Sequence, residues 1–176
     1  MAFREALSPD LAKQTFDRWC ALRVGGKAPR KDDLCPLGLP PTTLPYLMLM
    51  ERTTDGEFRC RLIGDVIRNW YGANVVGCSM RDLIPPAAYE QRAPLLRHCL
   101  GEGAPAWFTG PLLVNGKPLR RAARLLLPVA FHDDAPDGVL LVAFIDDVPI
   151  PPEDGASIAL DTALVCPRAE LGAQRP

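Results

Sequence analysis

Proline divides this chain before anything else does. Nineteen of its 176 residues are proline, about double the usual share. Five fall between Pro29 and Pro45, and five more from Pro149 onward. Proline has a fixed φ and no backbone N–H, so neither stretch suits a packed helix or a central strand. Three parts follow: an N-terminal helix with an extended proline-rich connector over residues 1–44, a folded body over 45–147, and a flexible C-terminal tail over 148–176.

Within the first part, Ser8-Pro9-Asp10 predicts a helix start, with a hydroxyl cap, proline at the first position and an acid in the first turn. Ala12, Phe16, Trp19 and Cys20 then share one apolar face, and Gly25-Gly26 ends the helix. The body opens with an apolar run, Tyr46 to Met50, a hairpin turn at Asp55-Gly56, and an alternating strand through Phe58, Cys60 and Leu62. Short helical stretches follow over 64–71 and 77–84. The main helix spans 87–103 and carries Leu95, Leu96, Cys99 and Leu100 on its apolar stripe, with Pro94 predicting a kink. Strands over 106–114 and 117–130 flank Asn115-Gly116, and the last strand runs 139–146. Two strands, a helical block and three strands predict an α+β fold: one five-stranded antiparallel sheet with helices on one face, plus the N-terminal helix.

Charge and apolar length exclude several function classes. Twenty basic against 21 acidic residues give a net charge of −1, which argues against binding nucleic acid by bulk attraction to phosphate. The longest apolar run, about Val139 to Ile145, is far short of the ~20 residues a spanning helix needs. The first ten residues lack a signal core, so a cytoplasmic location is expected. Six scattered cysteines without a C-x-x-C pair read as free thiols, not as a disulfide framework or zinc site.

A more specific pattern runs through Trp19-x-x-Leu22-Arg23, Pro29-Arg30, Asp33-x-x-Pro36 and Leu44-Pro45. It continues through Phe58-x-x-Arg61-Leu62-x-Gly64, Gly72, Gly77 and Leu125-Leu126-Leu127-Pro128-Val129. In this order and spacing it resembles a PAS domain, of a single-PAS family found mostly in alphaproteobacteria and long listed as a domain of unknown function. The resemblance implies the PAS fold and a sensory or protein-interaction role. It also implies that the third strand lies at a sheet edge, where Pro111 is tolerated, and that Pro128 falls in a central strand, where it predicts a bulge. With no kinase, cyclase or DNA-reading element in the chain, the expected module stands alone and signals by contact with another protein, a histidine kinase or another regulator.

Cofactor expectations also follow from the resemblance. Photosensory PAS domains form a flavin adduct through a cysteine in Gly-x-Asn-Cys-Arg-Phe-Leu. Here the stretch is Gly77-Cys78-Ser79-Met80-Arg81-Asp82-Leu83, and the Met80 thioether cannot form that bond. Haem PAS domains ligate iron through a histidine on the main helix, where His98 lies; the alternative is a partly exposed helix-end histidine. His132, beside Asp133 and Asp134, reads as a solvated loop residue ahead of a metal ligand.

The remaining candidates each have two readings. Arg61 either faces inward to bind a ligand carboxylate or pins neighbouring loops. Trp70, Tyr71 and Trp107 either line a cavity or fill the core. Arg120 and Arg124 share a strand face that Arg121 leaves, so they read as solvated sheet surface. Catalysis has weak support, since acid–base work by His98 with Asp82 or Glu102 lacks any recognised motif. Phe16, Trp19 and Cys20 must cover the sheet or pair with a second copy, which makes this helix the expected homodimer interface.

Overall fold

In the computed structural model, which describes residues 2–34, 38–72, 74–114, 117–149 and 159–173, the first hairpin forms where the turn chemistry demands it. Strands β1 (Leu47–Arg52) and β2 (Phe58–Ile63) pair antiparallel across a tight connection. Gly56 takes φ +84°, its N–H reaches the Thr53 carbonyl at 2.8 Å, and the Asp55 carboxylate accepts the Glu57 N–H at 3.2 Å. The left-handed backbone costs a glycine little, and the aspartate supplies the local acceptor.

Three helices then cross one face. They are α4 (Asp65–Tyr71), α5 (Met80–Leu83) and α6 (Pro86–Glu102). Gly72 ends α4 and Gly103 ends α6, both with left-handed φ. Ser79 caps α5 by accepting the Arg81 N–H, and its hydroxyl donates to Glu57 at 2.6 Å. Helix α6 runs unbroken through Pro94, which lies on its exposed side.

The sheet is completed by β3 (Ala106–Val114), β4 (Lys117–Val129) and β5 (Gly138–Pro149). A short sixth strand, β6 (Thr162–Val165), lies outside β3, and the spatial order is β2-β1-β5-β4-β3-β6 with all pairs antiparallel. The expected Asn115-Gly116 turn lies outside the described residues. Alternation along the strands divides the interior in two. Met48, Met50, Phe108, Leu126 and Ala143 meet α4–α6 on one face. Leu47, Leu49, Trp107, Leu125, Leu127 and Val142 meet the terminal segments on the other. Both faces are covered, which explains why Leu125-Leu126-Leu127 reads as a continuous apolar run.

The N-terminal helix, α2 (Asp10–Ala21), covers that second face, so helices pack on both sides of the sheet. Its cap position is Pro9, without a side-chain bond, so the Ser8 hydroxyl is not the cap. Phe16 and Trp19 are buried against the chain's own sheet, and Trp19 Nε1 donates to the Pro128 carbonyl. The expected use of these two rings between copies is therefore corrected: they are consumed inside one chain. Cys20 packs at the margin of the same cluster.

The connector is less extended than its prolines predict. It holds α3 (Lys31–Leu34) and a 3₁₀ segment over Pro41–Tyr46. Leu34 at the end of α3 and Leu39 just before the 3₁₀ segment are buried, and the Lys31 N–H pairs with the Ala130 carbonyl at 3.0 Å. Nor are described residues 159–173 a flexible tail. Beyond β6, Cys166 and Leu171 enter the core, the latter from α7 (Arg168–Ala173). Glu170 accepts the N–H of Phe3 at 2.7 Å, joining α7 to α1 (Phe3–Ala6).

Two proline expectations are corrected as well. Pairing through Pro128 is regular, opposite Val139, and the β4–β5 irregularity lies between Arg120 and Ala122. Strand β3 begins at Ala106, opposite Leu126, so Pro128 lies past its end and needs no second ladder donor. Strand β3 is not the edge, because β6 pairs with it over Ala106 to Thr109. Pro111 lies beyond that pairing and is still spared a partner there.

Candidate functional site

A cavity of about 60 Å³ lies between the sheet and the helical face. Its walls come from β1 (Met48, Met50), α4 (Ile67, Tyr71), the α5 region (Met80, Leu83, Ile84), α6 (Arg92) and the strands behind them (Phe108, Pro111, Leu112, Leu113, Arg124, Leu141, Ala143). Three flexible thioethers and several branched side chains make the lining mainly apolar, as small-molecule sites are. No aspartate, glutamate or histidine lines it among the described residues.

Two buried arginines break the apolar wall. Arg124 enters from β4 and Arg92 from α6, each only 4% exposed. Arg124 donates to the carbonyls of Gly110 (3.2 Å), Ala122 (3.1 Å) and Pro111 (2.8 Å). Arg92 donates through Nη1 to the Ala88 carbonyl at 2.8 Å, while its Nη2 is buried without a partner. Both guanidiniums also lie against the Phe108 ring, at 5.8 Å for Arg92 and 5.1 Å for Arg124. Burial, reinforced by the Arg92 charge, pushes Arg124 down to about 9, and burial lowers Arg92 as well. Both still carry charge at neutral pH. Neither has an ion-pair contact among the described residues; Asp161 acts on Arg124 only through space and does not offset its burial, so the fold holds both cations in one wall at a desolvation cost.

Tyr71 completes the polar set. Its hydroxyl donates to the Leu113 carbonyl at 3.5 Å, and burial raises its pKa against the pull of both arginines. Of the residues proposed from sequence, Tyr71 alone lines this cavity. Arg61 is exposed on β2 and ion-paired to Glu51 across the hairpin, so it pins the sheet edge instead of facing a ligand. Trp70 is half-buried and lines a separate surface groove with Tyr46, Arg120 and Phe144. Trp107 packs on the opposite sheet face, 6.0 Å from the Phe144 ring. His98 is half-buried on α6 and does not line the cavity, and its Nε2 is buried without a partner. His132 Nδ1 meets the Asp137 carboxylate at 2.7 Å in the β4–β5 turn.

A family model described as a PAS domain matches residues 8–142. The chain belongs to the PAS domain family. PAS domains are sensory and signalling modules, and this one carries its strands in the order that family implies, with β6 added outside β3. Among solved structures it is similar to the LOV protein of Rhodobacter sphaeroides, at 19% identity and a TM-score of 0.46, over 81% of this chain and 70% of that one. A point variant of RsLOV matches at 16% identity and a TM-score of 0.48, over 85% and 73% of the two chains. The RsLOV d2 variant matches at 23% and 0.43, over 62% and 60%. None of the curated proteins matches.

The large cofactors some PAS domains use do not fit this cavity. Met80 stands where the photosensory thiol is required, and its side chain forms part of the wall. His98 lies outside the lining, so it is not placed to ligate a haem beneath α6. A volume of about 60 Å³ holds roughly four or five non-hydrogen atoms, not a flavin or a porphyrin.

Sequence reasoning missed the two arginines although both carried a signal. Arg92 falls on the stripe of Tyr89, Ala93 and Leu96, the buried side of α6. Arg124 is in phase with Ala122 and Leu126, both buried, and the irregularity at Arg120 removes the face it was expected to share with that residue. The expected solvated surface is therefore corrected for Arg124.

Proposed function

We propose that this PAS domain is a sensory and regulatory module of bacterial signal transduction. A small molecule in the cavity beneath α6 is its input, and contact with another signalling protein is its output. The observation that carries the reading is the pair of buried, ion-pair-free arginines in an otherwise apolar cavity wall. Unpaired buried cations are expensive when packing is their only role. Free thiols at Cys20, Cys60, Cys78, Cys99 and Cys166 support a reducing compartment, the cytoplasm. No described helix is long and apolar enough to cross a membrane. A histidine kinase or another regulator is the proposed partner class. A second copy would need a surface other than Phe16 and Trp19.

The small volume favours one competing reading, an interaction scaffold without a ligand, in which Leu95, Leu96 and Phe108 simply pack. Native mass spectrometry of freshly purified protein, followed by thermal shift against a panel of small molecules, separates the two. The sensor reading expects a retained or added small molecule to raise Tm, and Ala143→Leu, which fills the cavity, to abolish that rise. A panel that never moves Tm, together with an Ala143→Leu variant that melts higher than the parent, would leave the scaffold standing. The same spectra report oligomeric state.

A further inference from the structure

We propose that the cavity binds a small carboxylate with a short apolar chain, its anionic head clamped between Arg92 and Arg124. This inference rests on the ligand-gated reading above and narrows it to one chemical class.

The two guanidiniums arrive from different layers, one from α6 and one from β4, and both line the same space. Arg124 is held by three backbone carbonyls, which fixes its plane while leaving donors in excess of acceptors. Arg92 keeps Nη2 buried and unpartnered. A carboxylate would accept from both forks at once and bring into the cavity a negative charge that Asp161, acting on Arg124 from outside the lining, does not supply there. The remainder of the wall sets the other half of the ligand. Met48, Met50, Ile67 and Met80 offer apolar contact and no hydrogen bonds, which suits an alkyl group and disfavours a strongly hydrated inorganic anion. A volume of about 60 Å³ limits the whole molecule to roughly the size of propionate.

Methyl NMR of methionine-labelled protein, titrated with sodium propionate, sodium chloride and propionamide in parallel, tests this directly. Met48, Met50 and Met80 should report propionate with saturable shifts, and chloride and propionamide should leave them in place. Arg92→Gln should weaken propionate binding at least tenfold while keeping the far-UV circular dichroism of the parent. Should that variant not fold, the three parallel titrations of the natural protein still decide. Equal shifts with chloride would reduce the effect to screening and overturn the inference. Equal binding of propionamide would also overturn it, while the cavity itself would remain a ligand site. Silence from all three probes would overturn it too, and the thermal-shift panel would then judge the broader sensory reading alone.

Discussion

Trp19 Nε1 donates to the carbonyl oxygen of Pro128 across 2.9 Å, inside the core and 109 residues apart in sequence. The bond ties α2 to the sheet at the point where β4 runs past the end of β3. Trp19→Phe keeps an aromatic ring but leaves a buried carbonyl unsatisfied, a loss of about 1–3 kcal/mol. At this chain length, Tm should fall by roughly 2–4 °C per kcal/mol. Thermal and urea unfolding check it; an unchanged midpoint would mean that the carbonyl finds another donor.

Gly64 shows a different constraint. Its φ is an ordinary −71°, yet a Cβ there would lie 2.3 Å from the Leu44 carbonyl oxygen and 2.4 Å from that of Pro45. The obstacle is backbone on both counts, so it cannot swing away as a side-chain tip would. Gly64→Ala should therefore destabilise by more than about 1 kcal/mol, whereas Gly101→Ala, which meets open space in α6, should be neutral or slightly stabilising. Comparing the two urea midpoints separates close approach from loss of glycine flexibility.

The residues that were legible in sequence are those whose local chemistry and tertiary role agree. Asp55-Gly56 announces its turn, Gly103 ends its helix, and the chain order of two strands, a helical block and then the strands β3 to β5 follows from the pattern. Strand β6 was not legible because it is four residues long, flanked by proline-rich chain, and exposed along its whole length, so burial leaves no alternation to read. Trp107 and Phe108 are adjacent, and only the register decides which of them faces the helices. Charge misled at the candidate site, since an arginine is ordinarily a surface residue, and Arg92 and Arg124 are buried here.

Leu171 tests whether the last described segment belongs to the fold. It is 7% exposed in a cluster with Phe3, Leu7 and Trp19, and Arg23 reaches its carbonyl at 3.3 Å. Leu171→Ala should cost about 2–3 kcal/mol, the low end for a buried leucine because the site lies near the surface. A dispensable tail would show no change in the unfolding midpoint and no change in amide exchange along β3.

Asp137 gives the protein an acid-sensitive turn. Burial works to raise its carboxyl, but the Phe131 N–H at 2.6 Å and the His132 ring at 2.7 Å outweigh it and hold it below the ordinary carboxylate range. With the folded-state value depressed, the unfolded chain takes up the proton first as pH falls. The Asp137 contribution is thus complete at neutral pH, starts to fade near the ordinary aspartate value of about 4, and is lost as pH falls through the lower folded value. Asp137→Asn should be less stable than the parent at neutral pH, and the gap should narrow progressively below about pH 4. Urea midpoints collected across that range would show the convergence, and parallel curves would remove Asp137 from the account of acid sensitivity.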